Sequence, residues 1–228
     1  MPQWMIGVDE AGRGPLAGPV AVGLIAAPAE LDILEAFPGV ADSKKLSPGA
    51  RENLYSLVEM FAARGEIKFV ARFSSHIYID KYGMTKAVGR AIESGLKRLA
   101  VPHTDTKVML DGLLKAPKHY QQETVVKGDE LVPIISLASI VAKVRRDRLM
   151  RRLAREYPAY GFEQHKGYPT PAHYAALEEH GLSDVHRRSY CKPFVLDEEV
   201  AKASIYDARP VPKEAPRDNA IDNKLAQA

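Results

Sequence analysis

The chain has a single cysteine, Cys191, among its 228 residues. One thiol cannot close an internal disulfide, and without spaced partners it makes no structural zinc site, so ordinary packing is its expected role. The seven histidines show neither an HExxH run nor any other metal spacing, which sets histidine-based metallohydrolysis aside. His165, His173, His180 and His186 are expected in loops or on the surface rather than as ligands, although His173 stands close enough after Tyr168 to reach a substrate. Nowhere do about 18 apolar residues run together, so no membrane span is expected. Met1–Gln3 leads straight into a strand-like run, with neither a basic n-region nor an apolar h-region, and a soluble, cytoplasmic protein is the expectation. Repeats with a period of about 20 to 50 residues are missing, which argues against solenoids and propellers. Nothing signals an oligomer, so a monomer is expected.

What is there suits one α/β domain. The composition is 46% hydrophobic and 27% charged, ordinary for a globular chain. Residues 1–200 are expected to form the domain and 201–228 a disordered tail, where Pro210, Pro212 and Pro216 stand among charged and small residues. The net charge is +3, and the seven acids and five bases of residues 197–228 leave the other 196 residues at +5. Between Lys143 and Arg155 lie Arg145, Arg146, Arg148, Arg151 and Arg152 against Asp147 alone. Such a run is either a solvated helix face or a surface for a polyanion.

Element patterns run in a recognisable order. Met5–Val8 reads as a buried strand ending on Asp9-Glu10, and Pro19–Ala27 as a second strand paired with it as a hairpin. Ser47 is placed to N-cap a helix with Pro48 at its first position, Leu54, Leu57, Val58 and Phe61 on one face, and Gly65 at its end. Ile67, Phe69, Ala71 and Phe73 alternate as in a half-buried strand. Met84–Leu99 predicts a helix, Lys107–Leu110 a strand, Thr124–Lys127 a fifth strand, Leu131–Glu156 a long helix, Gly161–Thr170 a loop and Pro171–His180 a short helix. Three strands precede any long crossover, so the sheet should be mixed, with an antiparallel first half and parallel later strands between helices.

Asp9, Glu10, Asp111 and Asp129 each fall at or just beyond the end of a predicted strand. Open α/β sheets place ligands there, and if the three strands are neighbours the acids converge. Asp111-Gly112 could be only a turn and Asp129 only a helix cap, whereas the adjacent pair Asp9-Glu10 has no equally simple structural explanation. Clustered carboxylates raise one another's pKa unless a cation neutralises them, so convergence points to a hard divalent metal, magnesium above all. Gly12 and Gly14 let backbone amides approach a bound group, and Arg13 between them is a planar donor suited to phosphate. Two ions about 4 Å apart could activate a water and stabilise the leaving oxygen of a phosphodiester displacement.

The stretch Gly7-Val8-Asp9-Glu10-Ala11-Gly12-Arg13-Gly14-Pro15-Leu16-Ala17-Gly18-Pro19-Val20 resembles the opening signature of ribonuclease HII, the type 2 ribonucleases H. Asp42-Ser43-Lys44-Lys45-Leu46, Leu110-Asp111-Gly112, Lys127-Gly128-Asp129, Ala138–Lys143 and His165-Lys166-Gly167-Tyr168 resemble further family motifs in family order. The resemblance implies a ribonuclease H-like fold, a mixed five-stranded sheet flanked by helices with a helical C-terminal extension. It implies a Mg2+- or Mn2+-dependent endonuclease that cuts the RNA strand of RNA/DNA hybrids and cuts 5′ to ribonucleotides embedded in duplex DNA. Asp9, Glu10, Asp111 and Asp129 match the catalytic metal-binding acids. Gly12, Arg13 and Gly14 match the loop that senses the ribose 2′-hydroxyl, and Tyr168 the tyrosine that packs on the junction sugar. Lys44, Ser139 and Lys143 would contact phosphates without reading bases. Leu137, Arg145 and Tyr190 depart from the family pattern, where a small residue, a threonine and a phenylalanine are usual.

Two rivals deserve comparison. Gly12-x-Gly14-x-x-Ala17 meets a loose dinucleotide-binding pattern, but Pro15, Gly18 and Pro19 break the helix that such a site needs, and two acids would repel a pyrophosphate. A non-catalytic nucleic-acid-binding module would use the basic run alone and be indifferent to the loss of Asp111.

Overall fold

The computed structural model describes residues 3–40 and 45–195. Lys44, most of the Asp42–Lys45 motif and the tail from 196 onward lie outside the described residues.

Five strands form one sheet in the order β3-β2-β1-β4-β5. The strands are β1 (Trp4–Ala11), β2 (Val20–Pro28), β3 (Lys68–Ser74), β4 (Thr106–Asp111) and β5 (Gln121–Val125). β1 and β2 are antiparallel, with Trp4 opposite Pro28 and Ala11 opposite Ala21. β3 adds antiparallel to β2, while β4 and β5 run parallel to β1, so the mixed sheet expected from the element order is the one found. In the β1–β4 ladder Val8 pairs with Leu110. The next residue on each strand is an aspartate, Asp9 and Asp111, and this register is what levels the two acids.

The helices are α1 (Ile33–Ala36), α2 (Pro48–Ala63), α3 (His76–Tyr82), α4 (Met84–Leu99), α5 (Gly128–Leu131), α6 (Pro133–Glu156), α7 (Phe162–His165) and α8 (Pro171–His180). Period-two alternation splits the strands between two cores. Val22, Leu24 and Ala26 of β2 face α4, whose Val88, Ala91, Ile92, Leu96 and Leu99 form the stripe read from the sequence. Ile25 and Ala27 face the other side, against Leu54, Tyr55 and Val58 of α2 and Ile135, Ile140 and Val141 of α6. α2 starts as expected, with the Ser47 hydroxyl accepting from Ala50 N–H at 3.2 Å and Pro48 at the first position.

α6 lies directly on the backbone of the sheet. A Cβ at Gly7 would stand 2.1 Å from Ile134 O, and one at Gly23 only 2.2 Å from Ala138 O. Two strand glycines therefore bring the helix close enough for its next residues, Ser139 and Lys143, to overhang the ends of β1 and β4.

A third core packs Leu16, Met150, Phe162, Leu177 and Cys191 beneath the C-terminal segment. Cys191 is thus a packing residue, as expected, and burial pushes its thiol up to about 11.

Several sequence expectations need correction. The fifth strand is Gln121–Val125, not Thr124–Lys127: it is a polar edge strand, and its pairing with β4 rather than apolar alternation defines it. The long helix is found as a single element but starts at Pro133 rather than Leu131: Val132 is extended after the short α5, and the proline, with no N–H to donate, takes the first helical position. The expected loop over 161–170 contains α7, built around the fully buried Phe162.

The histidines are not all at the surface. His173 and His186 are 0% and 2% exposed. Burial drives His186 down to about 4, with the neighbouring His173 adding to the effect. A histidine held below its unfolded value of about 6.5 gives stability that is complete above that value and is lost as pH falls toward the folded one, because the unfolded chain takes up the proton first. Urea unfolding at pH 5 should accordingly give about 2 kcal/mol less stability than at pH 7.5 from this residue. Asp9, raised to about 8, shifts stability the opposite way over the same range, so the His186 share is read as the difference between the parent and His186→Gln; a difference that does not change between pH 5 and pH 7.5 would contradict the neutral buried ring.

Candidate active site

A cleft of about 480 Å³ opens at the carboxyl ends of β1 and β4. Its floor carries Asp9, Glu10, Asp111 and Asp129 together. Asp9 and Glu10 are the last residues of β1 before its end at Ala11, and Asp111 closes β4. Asp129 sits in the first turn of α5 and does not cap a helix; the turn reverses at Lys127, whose φ is +56°. Asp129 N–H donates to Asp111 Oδ1 at 3.3 Å, which ties the α5 turn to the end of β4. Ser136 of α6 fixes the same turn from behind by donating to Asp129 O at 2.6 Å.

The remaining sequence candidates that the structure describes line the same cleft. Gly12, Arg13, Gly14 and Tyr168 line it side by side, and Ser139 and Lys143 of α6 line it as well. Ser139 stands close enough to Asp9 to oppose the rise in its pKa. Arg13 Nη1 stands 3.2 Å from Glu10 Oε1, and Lys143 Nζ 2.8 Å from Asp147 Oδ1. The Lys143 ammonium lies 6.0 Å and the Arg146 guanidinium 5.6 Å from the centre of the Tyr168 ring, so that ring carries positive charge on its face.

Charge is strongly unbalanced on the floor. Burial raises Asp9 to about 8, Glu10 and Asp111 push the same way, and Ser139 and the bond from Glu10 N–H oppose it. Glu10 is raised as well, by burial first, with Asp111 adding and Arg13 opposing. Its Oε2 is buried and has no hydrogen-bond partner. Among the described residues no three His, Cys, Asp or Glu side chains are closed into a ligating cluster. An all-carboxylate donor set with one orphaned buried oxygen fits a hard divalent cation of the Mg2+ or Mn2+ type.

The basic run divides. Arg146 is 1% exposed and donates to Pro19 O at 3.0 Å and Ala17 O at 3.3 Å, under Gly12, where a Cβ would lie 2.0 Å from its Nε. Arg148 and Arg151 each reach Glu52 at 2.7 Å. The run is therefore neither a uniform solvated face nor a uniform polyanion surface: part of it builds the site. Of the departures from the resembling pattern, Leu137 fills the α2–α6 core, Arg145 Nη1 donates to the Tyr55 hydroxyl at 3.2 Å, and Tyr190 stacks under Arg187 at 5.2 Å.

Sequence reasoning missed Arg51, which comes from α2 into the cleft while donating to Leu46 O at 2.6 Å. It also missed Arg187, fully buried beneath the glycine loop. No local pattern marks either, since each reaches the site from a distant segment.

A mixed sheet in this strand order, with acids grouped at the ends of its central parallel strands, defines a nuclease of ribonuclease H-like fold. The family model described as Ribonuclease HII matches residues 6–193. A Ribonuclease HII of Nitrosospira multiformis is 44% identical over 187 residues, covering 82% of this chain and 89% of its own length. The crystal structure of ribonuclease H2 from Pyrococcus horikoshii OT3 superimposes with a TM-score of 0.64 at 25% identity, covering 99% of this chain and 100% of that one. The structure of Bst-RNase HIII in complex with Mn2+ shares the fold, with a TM-score of 0.62 at 18% identity over 92% of this chain and 71% of that one. The chain belongs to the ribonuclease HII family, and it is a metal-dependent ribonuclease whose family cleaves the RNA strand of RNA/DNA hybrids.

Proposed function

We propose that this chain hydrolyses the RNA strand of RNA/DNA hybrids and cuts 5′ to ribonucleotides embedded in duplex DNA, leaving 3′-hydroxyl and 5′-phosphate ends. The observation that carries this reading is the single cleft in which four acids face a glycine loop, an arginine and a tyrosine. Asp9, Glu10, Asp111 and Asp129 would hold Mg2+ or Mn2+, and the orphaned Glu10 oxygen is the acceptor left for it. Bound there, divalent ions supply an activated water and stabilise the leaving oxygen of an in-line displacement.

The chain's own residues position the strand. Ser139 stands beside Asp9, while Lys143 and Arg13 offer donors to the phosphates on either side of the scissile bond. The Gly12–Gly14 backbone comes within reach of a ribose, and the Tyr168 ring stands directly beside it: a Cβ at Gly14 would be 3.9 Å from the ring, in ordinary contact. The 2′-hydroxyl is the group by which a protein tells RNA from DNA, and a cleft edge where a glycine backbone and an aromatic ring lie side by side is suited to test for it.

Duplex DNA carrying one ribonucleotide tests the reading directly. Incision on the 5′ side of that ribonucleotide in Mg2+, lost with EDTA and restored by added Mg2+, is expected; cutting that ignores the ribonucleotide would refute it. Tyr168→Ala and Arg13→Ala should lower cutting at a single ribonucleotide more than on uniform hybrid, with little change in melting temperature. Equal losses on both substrates would count against their roles. Hybrid binding should weaken with salt, by about tenfold between 50 and 200 mM if two phosphates are contacted. A flat response would remove Lys143 and Arg13 from the phosphate path.

A further inference from the structure

The short segment after α8 grips two neighbouring segments of the cleft lining. Arg187 is fully buried, and its guanidinium donates from Nε to Gly18 O at 2.9 Å, from Nη1 to Arg13 O at 2.8 Å and from Nη2 to Gly12 O at 2.7 Å. Its backbone N–H donates to Leu16 O at 2.7 Å. One side chain thus holds three carbonyls of the glycine loop from beneath.

The preceding residue reaches the adjoining Tyr168 segment. His186 Nδ1 accepts from Ser183 N–H at 2.9 Å and lies 2.8 Å from the Ser183 hydroxyl, so that nitrogen carries no proton. The ring proton is therefore on Nε2, which stands 3.0 Å from His173 Nε2. That nitrogen must accept, which leaves the His173 proton on Nδ1, 2.9 Å from Tyr168 O. A backbone N–H at one end and a backbone carbonyl at the other assign both tautomers. Burial lowers the pKa of both rings, so the relay is neutral near pH 7.

The three segments are also laced together through the main chain. Leu16 N–H donates to Gly167 O at 2.7 Å, Gly18 N–H to Val185 O at 2.9 Å, and Ala17 forms a bridge with His186. Neighbouring residues of one segment thus reach both the loop and the tyrosine.

We infer that His186 and Arg187 are the positioning residues that set the spacing between Tyr168 and the Gly12–Gly14 loop, and through it the preference for a ribonucleotide junction. Neither side chain touches the acids. The inference rests on the junction-sensing role proposed above for that loop and Tyr168. Their effect is on which substrate fits, not on the chemical step.

The readout is the ratio of kcat/KM on duplex DNA with one ribonucleotide to kcat/KM on uniform hybrid. His186→Asn keeps an acceptor for Ser183 N–H but is too short to reach His173, whereas His186→Gln can reach it with a donor. His186→Asn should lower the ratio by about tenfold, the scale expected when a substrate-positioning group shifts by a fraction of an ångström to an ångström. His186→Gln should restore most of it. In a Tyr168→Ala background His186→Asn should change the ratio no further, because its effect runs through that ring. Arg187→Lys, with one ammonium for three carbonyls, should lower the ratio from the loop side, and it carries the test if His186→Asn does not fold. An unchanged ratio in either folded variant, or an undiminished effect of His186→Asn without Tyr168, overturns the inference. If Tyr168→Ala and Arg13→Ala themselves leave the ratio unchanged, the junction reading fails first and takes the inference with it.

Discussion

Asp111→Asn is expected to yield a folded protein that binds RNA/DNA hybrid and cleaves it at least about a thousandfold more slowly, on the order of 4 kcal/mol of lost transition-state stabilisation. The substitution keeps the shape of the side chain and an oxygen able to accept from Asp129 N–H, so the α5 turn stays tied to β4. What it removes is one negative charge from a floor where Asp111 already raises Asp9 and Glu10. Relief of that repulsion means that the variant should melt no lower than the parent. Single-turnover cleavage in Mg2+, with anisotropy for binding and a thermal melt, reads all three quantities. A non-catalytic binding module predicts no loss of any activity, and a variant that cleaves within a few-fold of the parent would remove Asp111 from the proposed metal site.

Arg187→Ala is expected to cost on the order of 4 kcal/mol of unfolding free energy, since it leaves two buried carbonyls and one part-buried one without a donor and opens a cavity the size of a guanidinium. The partners are Gly12, Arg13 and Gly18, all in the loop that lines the cleft. Bonds from a charged donor are the stronger kind, and Arg187 itself is held below its usual range by burial and by Arg146 nearby. The loop therefore gives the buried cation most of its solvation, and each depends on the other. Urea unfolding measures the effect; a loss below about 1 kcal/mol would show that the loop carbonyls find other donors.

Much of this was written in local sequence. The buried strand ending on Asp9-Glu10, the Ser47-Pro48 cap, the apolar stripe from Met84 to Leu99 and the run Pro171–His180 each follow from the residues within one element. The antiparallel first half followed from element order, and β4 runs parallel to β1 because two helices carry the chain back before it; β5 joins in parallel after only the short segment 112–120, which element order does not explain. The four acids were legible because each follows or ends a strand-like run, and parallel register does the rest. β5 was misplaced because Gln121, Gln122 and Glu123 show no apolar period, and only pairing with β4 makes them a strand. His173 and His186 looked like surface residues because a histidine's burial depends on what caps its nitrogens, and those partners lie at Tyr168 and Ser183. Arg187 was invisible for the same reason on a larger scale: its acceptors lie some 170 positions earlier, and no periodicity connects them.

The lone sulfhydryl has a practical consequence. Cys191 is 2% exposed and, with its acidity suppressed to about 11, has almost no thiolate at neutral pH. Maleimide dyes should pass it by. A fluorophore or spin probe attached at a cysteine placed on an exposed position would then be read with no background from the native residue.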